Sequence, residues 1–285
     1  MNKNELQNSL NEMLLDLKLE EKADNTIKKY RHNVQHFIDS LPDGEITKQD
    51  VINFKSDLVN QGYKTTTNNS YIVSVNKFLK YCELSDLRIK QIKQQEKTSL
   101  ECIISMTDYK RLLRYAKKLG RMDMYYIMEI LAYTGIRISE LKYFTYENIQ
   151  KNYISVYNKG KERDIILRQD LHRDLKKYAR EQKIKTGYLF PGQNKNRLIH
   201  ESTIWRQLKR IAGKARVNKD KVHAHSFRHL FAKMFLEEYP GNITELADIL
   251  GHSQLETTRI YTRTTSEEKR KHLERINFKR KTNGK

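Results

Sequence analysis

The sequence predicts a mainly α-helical chain with one small β-hairpin, an α+β arrangement, divided into two parts. Three observations carry this reading. Apolar residues recur at spacings of three and four over most of the 285 residues, the period of a helix with one buried face. One stretch, "NYISVYNKGKERDIILR" (152–168), instead alternates on either side of a polar turn, as hairpin strands do. The charge also changes along the chain: residues 1–95 carry 14 Lys+Arg against 13 Asp+Glu, and residues 96–285 carry 41 against 22.

The elements follow in order. In "NTIKKYRHNVQHFIDSL", Ile27, Tyr30, Val34, Phe37, Ile38 and Leu41 form a core-facing stripe. Asn25 and Thr26 are its candidate caps, and Pro42-Asp43-Gly44 its stop. "TKQDVINFKSDLVNQG" opens on a Thr47–Asp50 capping box, carries Val51, Phe54 and Leu58 inward, and closes at Gly62. "TTTNNSYIVSVNKFLKYCEL" adds a third amphipathic stretch, so residues 1–90 read as a helical bundle. Residues 91–104, rich in Lys and Gln, read as an exposed linker. Beyond it, "SMTDYKRLLRYAKKLG" and "MDMYYIMEILAYTG" predict two helices ended by Gly120 and Gly135. After the hairpin, helices are expected over 168–184, 201–214, 226–239 and 242–250, the last with an Asn242–Glu245 capping box. Trp205 shares a stretch with Ile204, Leu208 and Ile211 and is expected in the core.

A net charge of +20 points to a polyanionic partner, most simply nucleic acid. No apolar run reaches the roughly 18 residues of a membrane span, and the first residues lack the apolar centre of a secretory signal. Cys82 and Cys102 offer neither a disulfide framework nor zinc spacing, which suits an intracellular, cytoplasmic setting.

Five segments hold polar groups that packing alone does not require. In "LAYTGIRISELKYF", Arg137 follows the helix-ending Gly135, with Glu140 three residues on. Lys159 sits at the hairpin tip. In "VHAHSFRHLF", His225, Arg228 and His229 share a helical face, while Phe227, Leu230 and Phe231 face the core. Arg228 between the two histidines is poor electrostatics for a metal site and good electrostatics for a phosphate. In "LADILGHSQLETTRIYTR", Gly251 ends a helix, His252 sits in the turn, and Ser253 with Glu256 suggests the next cap. Tyr261 lies among threonines rather than apolar partners. Cations and imidazoles around a phosphodiester, with a phenol as nucleophile, are a coherent chemistry: fixed donors stabilise the charge that develops. The phenol conserves the phosphodiester energy as a covalent phosphotyrosine. No metal or other cofactor is called for.

"TGIRISEL", "NKGKERDIIL", "HSFRHLFA" and "LADILGHSQLETTRIYT", in this order, resemble the successive motifs of the tyrosine recombinase (phage integrase) family. The resemblance covers about residues 105–265. It implies a catalytic domain there and a helical, SAM-like core-binding domain over 1–90. Residues 266–285 would form a basic tail, with Leu273, Ile276 and Phe278, that docks on a neighbouring protomer. It makes Tyr261 the nucleophile, Arg137, Arg228 and His252 the phosphate-stabilising groups, and His225 the group that acts on the nucleophile's proton. Glu140 and His229 would support them. Lys159 or Lys161 is the general acid, Lys159 being preferred because it directly precedes Gly160. The resemblance further implies a double-stranded DNA site, a homotetrameric synapse, strand exchange through a Holliday junction and no small-molecule cofactor; no membrane partner is expected. The two-domain build favours a Xer-like or transposon-resolving role. Two other readings stay open: a catalytically degenerate DNA-binding protein of this fold, and a type IB-like topoisomerase.

Overall fold

A computed structural model describes residues 1–93, 104–158, 161–251, 258, 261, 270, 273 and 274. The chain forms two compact units, Met1–Glu96 and Lys97–Lys285.

The first unit is a bundle of α1 (Lys3–Leu19), α2 (Asp24–Ser40), α3 (Lys48–Asn60) and α4 (Thr65–Tyr81). The last three are those the apolar spacing predicts. α1 joins them by burying Leu6, Leu10, Met13, Leu14 and Leu17, spaced to one face, behind an Asn2–Glu5 capping box. The Thr47–Asp50 box at α3 forms as expected. α2 does not start from Asn25 or Thr26: its N-cap is Ala23, with no side-chain bond. The core is Val34, Phe37, Ile38, Val51, Phe54, Leu58, Val75, Phe78 and Leu79. One of its buried amides, Asn33, donates to Ser74 Oγ at 2.9 Å. Beyond α4 the chain returns alongside it. Asn76 pairs with both backbone groups of Ile89, at 2.8 and 3.0 Å. Asn69 does the same with Ile92, at 3.0 and 2.8 Å.

The second unit is built around α6 (Met122–Thr134), which is buried on nearly all sides by α5 (Met106–Lys118), α7 (Gln169–Glu181), α8 (Glu201–Lys214) and α9 (Ala224–Glu238). α10 (Ile243–Leu250) packs on α9. The hairpin pairs β1 (Tyr153–Asn158) with β2 (Lys161–Ile166), antiparallel, with Tyr153 opposite Ile166. Ile154, Val156 and Ile165 turn inward.

Two further expectations need correction. Trp205 is 54% exposed rather than core. It follows the buried Ile204 by one residue, so it points about 100° away from that stripe, and Lys209 lies over its ring. Asn242 and Glu245 bond to each other at 2.8 Å through their side chains, but Asn242 makes no cap bond to the α10 backbone. Among the described residues, no helix is long and apolar enough to cross a membrane.

Candidate active site

The site begins where α6 ends. Gly135 takes a left-handed conformation, φ 61°, at the helix end. A Cβ there would lie 2.6 Å from the Phe231 ring and 2.7 Å from Leu250, so only glycine lets α9 and α10 approach this closely. The chain turns at once into a 3₁₀ helix, Ile138–Tyr143, with Arg137 as its N-cap residue. Glu140 is buried and accepts from the Arg137 backbone N–H at 2.9 Å, from Arg137 Nη1 at 3.3 Å and from Arg163 Nη2 at 2.8 Å.

Three arginines then converge on the carboxyl end of α10. The last carbonyls of a helix lack intrahelical partners and carry the negative end of its dipole. Arg163 Nη1 donates to Ile249 O at 2.5 Å, Arg228 Nη2 to Leu250 O at 2.8 Å and Arg137 Nη2 to Gly251 O at 3.2 Å. Arg228 also donates to Gly135 O at 2.6 Å, tying the end of α6 to that of α10. Its side chain is fully buried. Burial first, and the Arg137 charge second, lower its pKa to about 10, so it remains cationic at neutral pH. Arg137, with 37% of its side chain exposed, presents an open edge. Three guanidinium groups thus gather at one helix end with a single carboxylate, bonded to two of them, and the excess positive charge is fixed in place for an anion.

Tyr261 is buried against Ala232, Leu246 and Leu250, and its side chain hydrogen-bonds Arg228. His229 meets the Tyr261 ring edge-on at 5.0 Å and the His225 ring at 4.5 Å. Desolvation, then the positive charge available to His225, His223 and Arg228, pushes His229 down to about 4. His225 keeps a face to solvent. Desolvation and then Arg228, His223 and Arg137 also hold its pKa below the ordinary value. Both rings are therefore neutral near pH 7, and His225 is able to accept a proton. Among the described residues, no group of three or more His, Cys, Asp or Glu is placed to hold a metal.

The structure thus brings Arg137, Glu140, His225, Arg228, His229 and Tyr261 into one site in one chain. Lys159 and His252 lie outside the described residues, as do Ser253, Glu256, Ile276 and Phe278. Burial and a second arginine make Glu140 the hub of the site. Sequence reading missed Arg163. The available signal was the strand alternation, which sets residue 163 opposite the buried Val156 and on the inward side with Ile165.

Comparison with known proteins agrees with this architecture. Residues 103–268 match the phage integrase family, and residues 10–84 match the phage integrase N-terminal SAM-like domain. Tyrosine recombinase XerA of Pyrococcus furiosus is 30% identical over 276 residues, covering 94% of each chain. A crystal structure of XerA recombinase is similar with a TM-score of 0.53 at 28% identity, over 96% of this chain and 99% of that one. A lambda integrase tetramer bound to a Holliday junction shares the fold: TM-score 0.71 at 14% identity, over 92% of this chain and 77% of that one.

Proposed function

The chain belongs to the phage integrase family, and from that premise we propose that it is a site-specific DNA recombinase acting through a phosphotyrosyl intermediate. Tyr261 Oη attacks the scissile phosphorus and its proton passes to His225. The bond from phosphorus to the 5′-oxygen breaks, leaving a 3′-phosphotyrosyl link. The leaving oxygen takes a proton from Lys159, or from Lys161 if that lysine fills the role, and becomes a free 5′-hydroxyl. Attack by the 5′-hydroxyl of a partner strand reverses each step and rejoins the DNA. Arg137, Arg228 and His252 bind the non-bridging oxygens as charge builds. Glu140 and His229 hold the arginines and the tyrosine ring in place. No step draws on a metal or other cofactor.

The observation that carries this reading is the contact between Tyr261 and Arg228 within one protomer. It puts the phenol beside a buried cation, where a bound phosphate would meet both. The N-terminal unit contributes further DNA contacts. Four protomers synapse two duplexes and exchange strands through a Holliday junction, with residues 266–285 reaching a neighbouring copy.

The test is to trap the chain on a library of nicked duplexes and sequence the DNA ends in the covalent adduct. Adduct from the wild type, a unique end sequence and none from Tyr261→Phe are expected; an adduct with the Phe variant rejects the assignment. Wild type that binds one duplex tightly without any adduct would indicate a degenerate DNA-binding protein. Relaxation of supercoils by dilute monomer would favour a topoisomerase.

A further inference from the structure

Arg163 has no part in the steps above, yet its side chain is only 16% exposed. A guanidinium on the inward side of a strand is costly unless its donors are matched. Here they are matched in a specific way. One prong reaches Ile249 O and the other Glu140 Oε2. The stem lies across Gly251, φ 64°, where a Cβ would come within 2.6 Å of Arg163 Cδ and Nε. One side chain therefore joins three separate segments: the hairpin, the 3₁₀ helix bearing Arg137 and Glu140, and the end of α10.

The effect on Glu140 is the telling one. Its Oε2 is shared by Arg163 and the Arg137 backbone N–H, while Oε1 takes the Arg137 guanidinium at 3.3 Å. Without Arg163, Oε2 loses that guanidinium and can accept from the Arg137 guanidinium as well, drawing it into a two-pronged pair. Its open edge would then turn inward, away from an incoming anion. Losing the bond to Ile249 O would also loosen the helix end that Arg137 and Arg228 grip.

We propose that Arg163 is a positioning residue, holding Glu140 and the α10 terminus in register so that Arg137 stays presented to a phosphate oxygen. The inference rests on the recombinase reading for its phosphate but not for its geometry.

The experiment uses the full chain and the DNA recovered from the trapped adduct. At saturating DNA, Arg163→Met is expected to slow adduct formation by roughly 10–100-fold, the usual effect of a misplaced catalytic group, with DNA affinity little changed; the thermal midpoint falls because a buried ion pair is broken, and the rates are compared at a temperature where both chains are folded. Arg163→Lys keeps the charge without the two-pronged reach and recovers part of the rate. In an Arg137→Ala background the Met change costs less than about threefold, because residues acting as one unit are not additive. On DNA with a methylphosphonate at the scissile position, which has one fewer anionic oxygen, the gap between wild type and Arg163→Met narrows. Equal losses in both backgrounds, a wild-type rate in Arg163→Met, or a parallel loss of DNA binding overturns the proposal.

A second measurement needs no DNA. Sulfate should raise the thermal midpoint of the wild type more than that of Arg137→Ala, and Arg163→Met should erase that difference. If Arg163→Met keeps it, the positioning role is rejected. Should the wild type give no adduct on any duplex, the recombinase reading fails, while the sulfate measurement still judges Arg163.

Discussion

Among the described residues of the N-terminal unit, the polar side chains that leave water are neutral: Asn33, Asn68 and Ser74. In the second unit they include Glu129, Glu140 and Arg228. The net charges differ in the same sense, with nearly all of the excess in residues 96–285. A buried amide is settled by a neighbour such as Ser74 and costs little. A buried ion costs several kcal/mol unless charge and hydrogen bonds surround it, and apolar packing would fill the same space as well. The second unit therefore carries charge inside for a reason other than stability. At the α10 terminus that reason is visible: three cations, three helix-end carbonyls and one carboxylate make a cage whose surplus is positive.

The contrast breaks most sharply at Arg228. Arg228→Ala removes a fixed donor from the phosphate and should slow adduct formation at least about 10²–10³-fold; single-turnover kinetics on the trapped-site DNA measures it. A loss below tenfold would show that the buried cation serves the fold rather than the reaction. Phe37→Ala makes the converse change, an apolar deletion in the other unit. It should lower the denaturant stability of the N-terminal unit by about 3–5 kcal/mol. Its measure is urea unfolding of the full chain, with Asn33 as the reference: Asn33→Ala should cost less, about 1–3 kcal/mol, for the hydrogen bonds it strips from Ser74 and Ser70.

Acid separates the two units further. His229 and His225 have lowered pKa values in the folded chain, so the unfolded chain binds their protons first. Their contribution is whole above about pH 6.5 and declines as pH falls toward the His229 value of about 4. The thermal midpoint of the second unit should drop through that window. Calorimetry of His229→Gln should show a shallower drop, and an unchanged slope would remove this histidine from the account. Bound DNA should oppose the effect at His225, because a phosphate favours the imidazolium. The smallest effect is expected at Trp205. Exposed as it is, Trp205→Ala should shift stability by no more than about 0.5–1 kcal/mol, whereas a core tryptophan would cost about 3–5.

Most of the secondary structure was legible because it is set by neighbours in sequence. The Thr47–Asp50 box, the helix ends at Gly135 and Gly251, and the hairpin with its turn all rest on local pattern. The same holds for the site residues found by motif. Arg137 follows a helix-ending glycine, and His225, Arg228 and His229 lie on one turn of α9. What local pattern misjudged was direction. Trp205 stands beside the buried Ile204 in sequence, yet adjacent residues on a helix face different ways. Asn242 and Glu245 have the spacing of a cap but bond to each other instead.

The sequence by itself determined the family, the two-part helical build with its hairpin, the uneven charge and the identities of the candidate groups. Each of these depends on short-range spacing or on composition. Only the tertiary structure decided that Glu140 is buried between two arginines, that Tyr261 reaches Arg228 of its own chain, and that Arg163 reaches 86 residues along the sequence to Ile249. Those are contacts between distant segments, and they exist because buried ions and helix-end carbonyls, once out of water, must find partners wherever the fold supplies them.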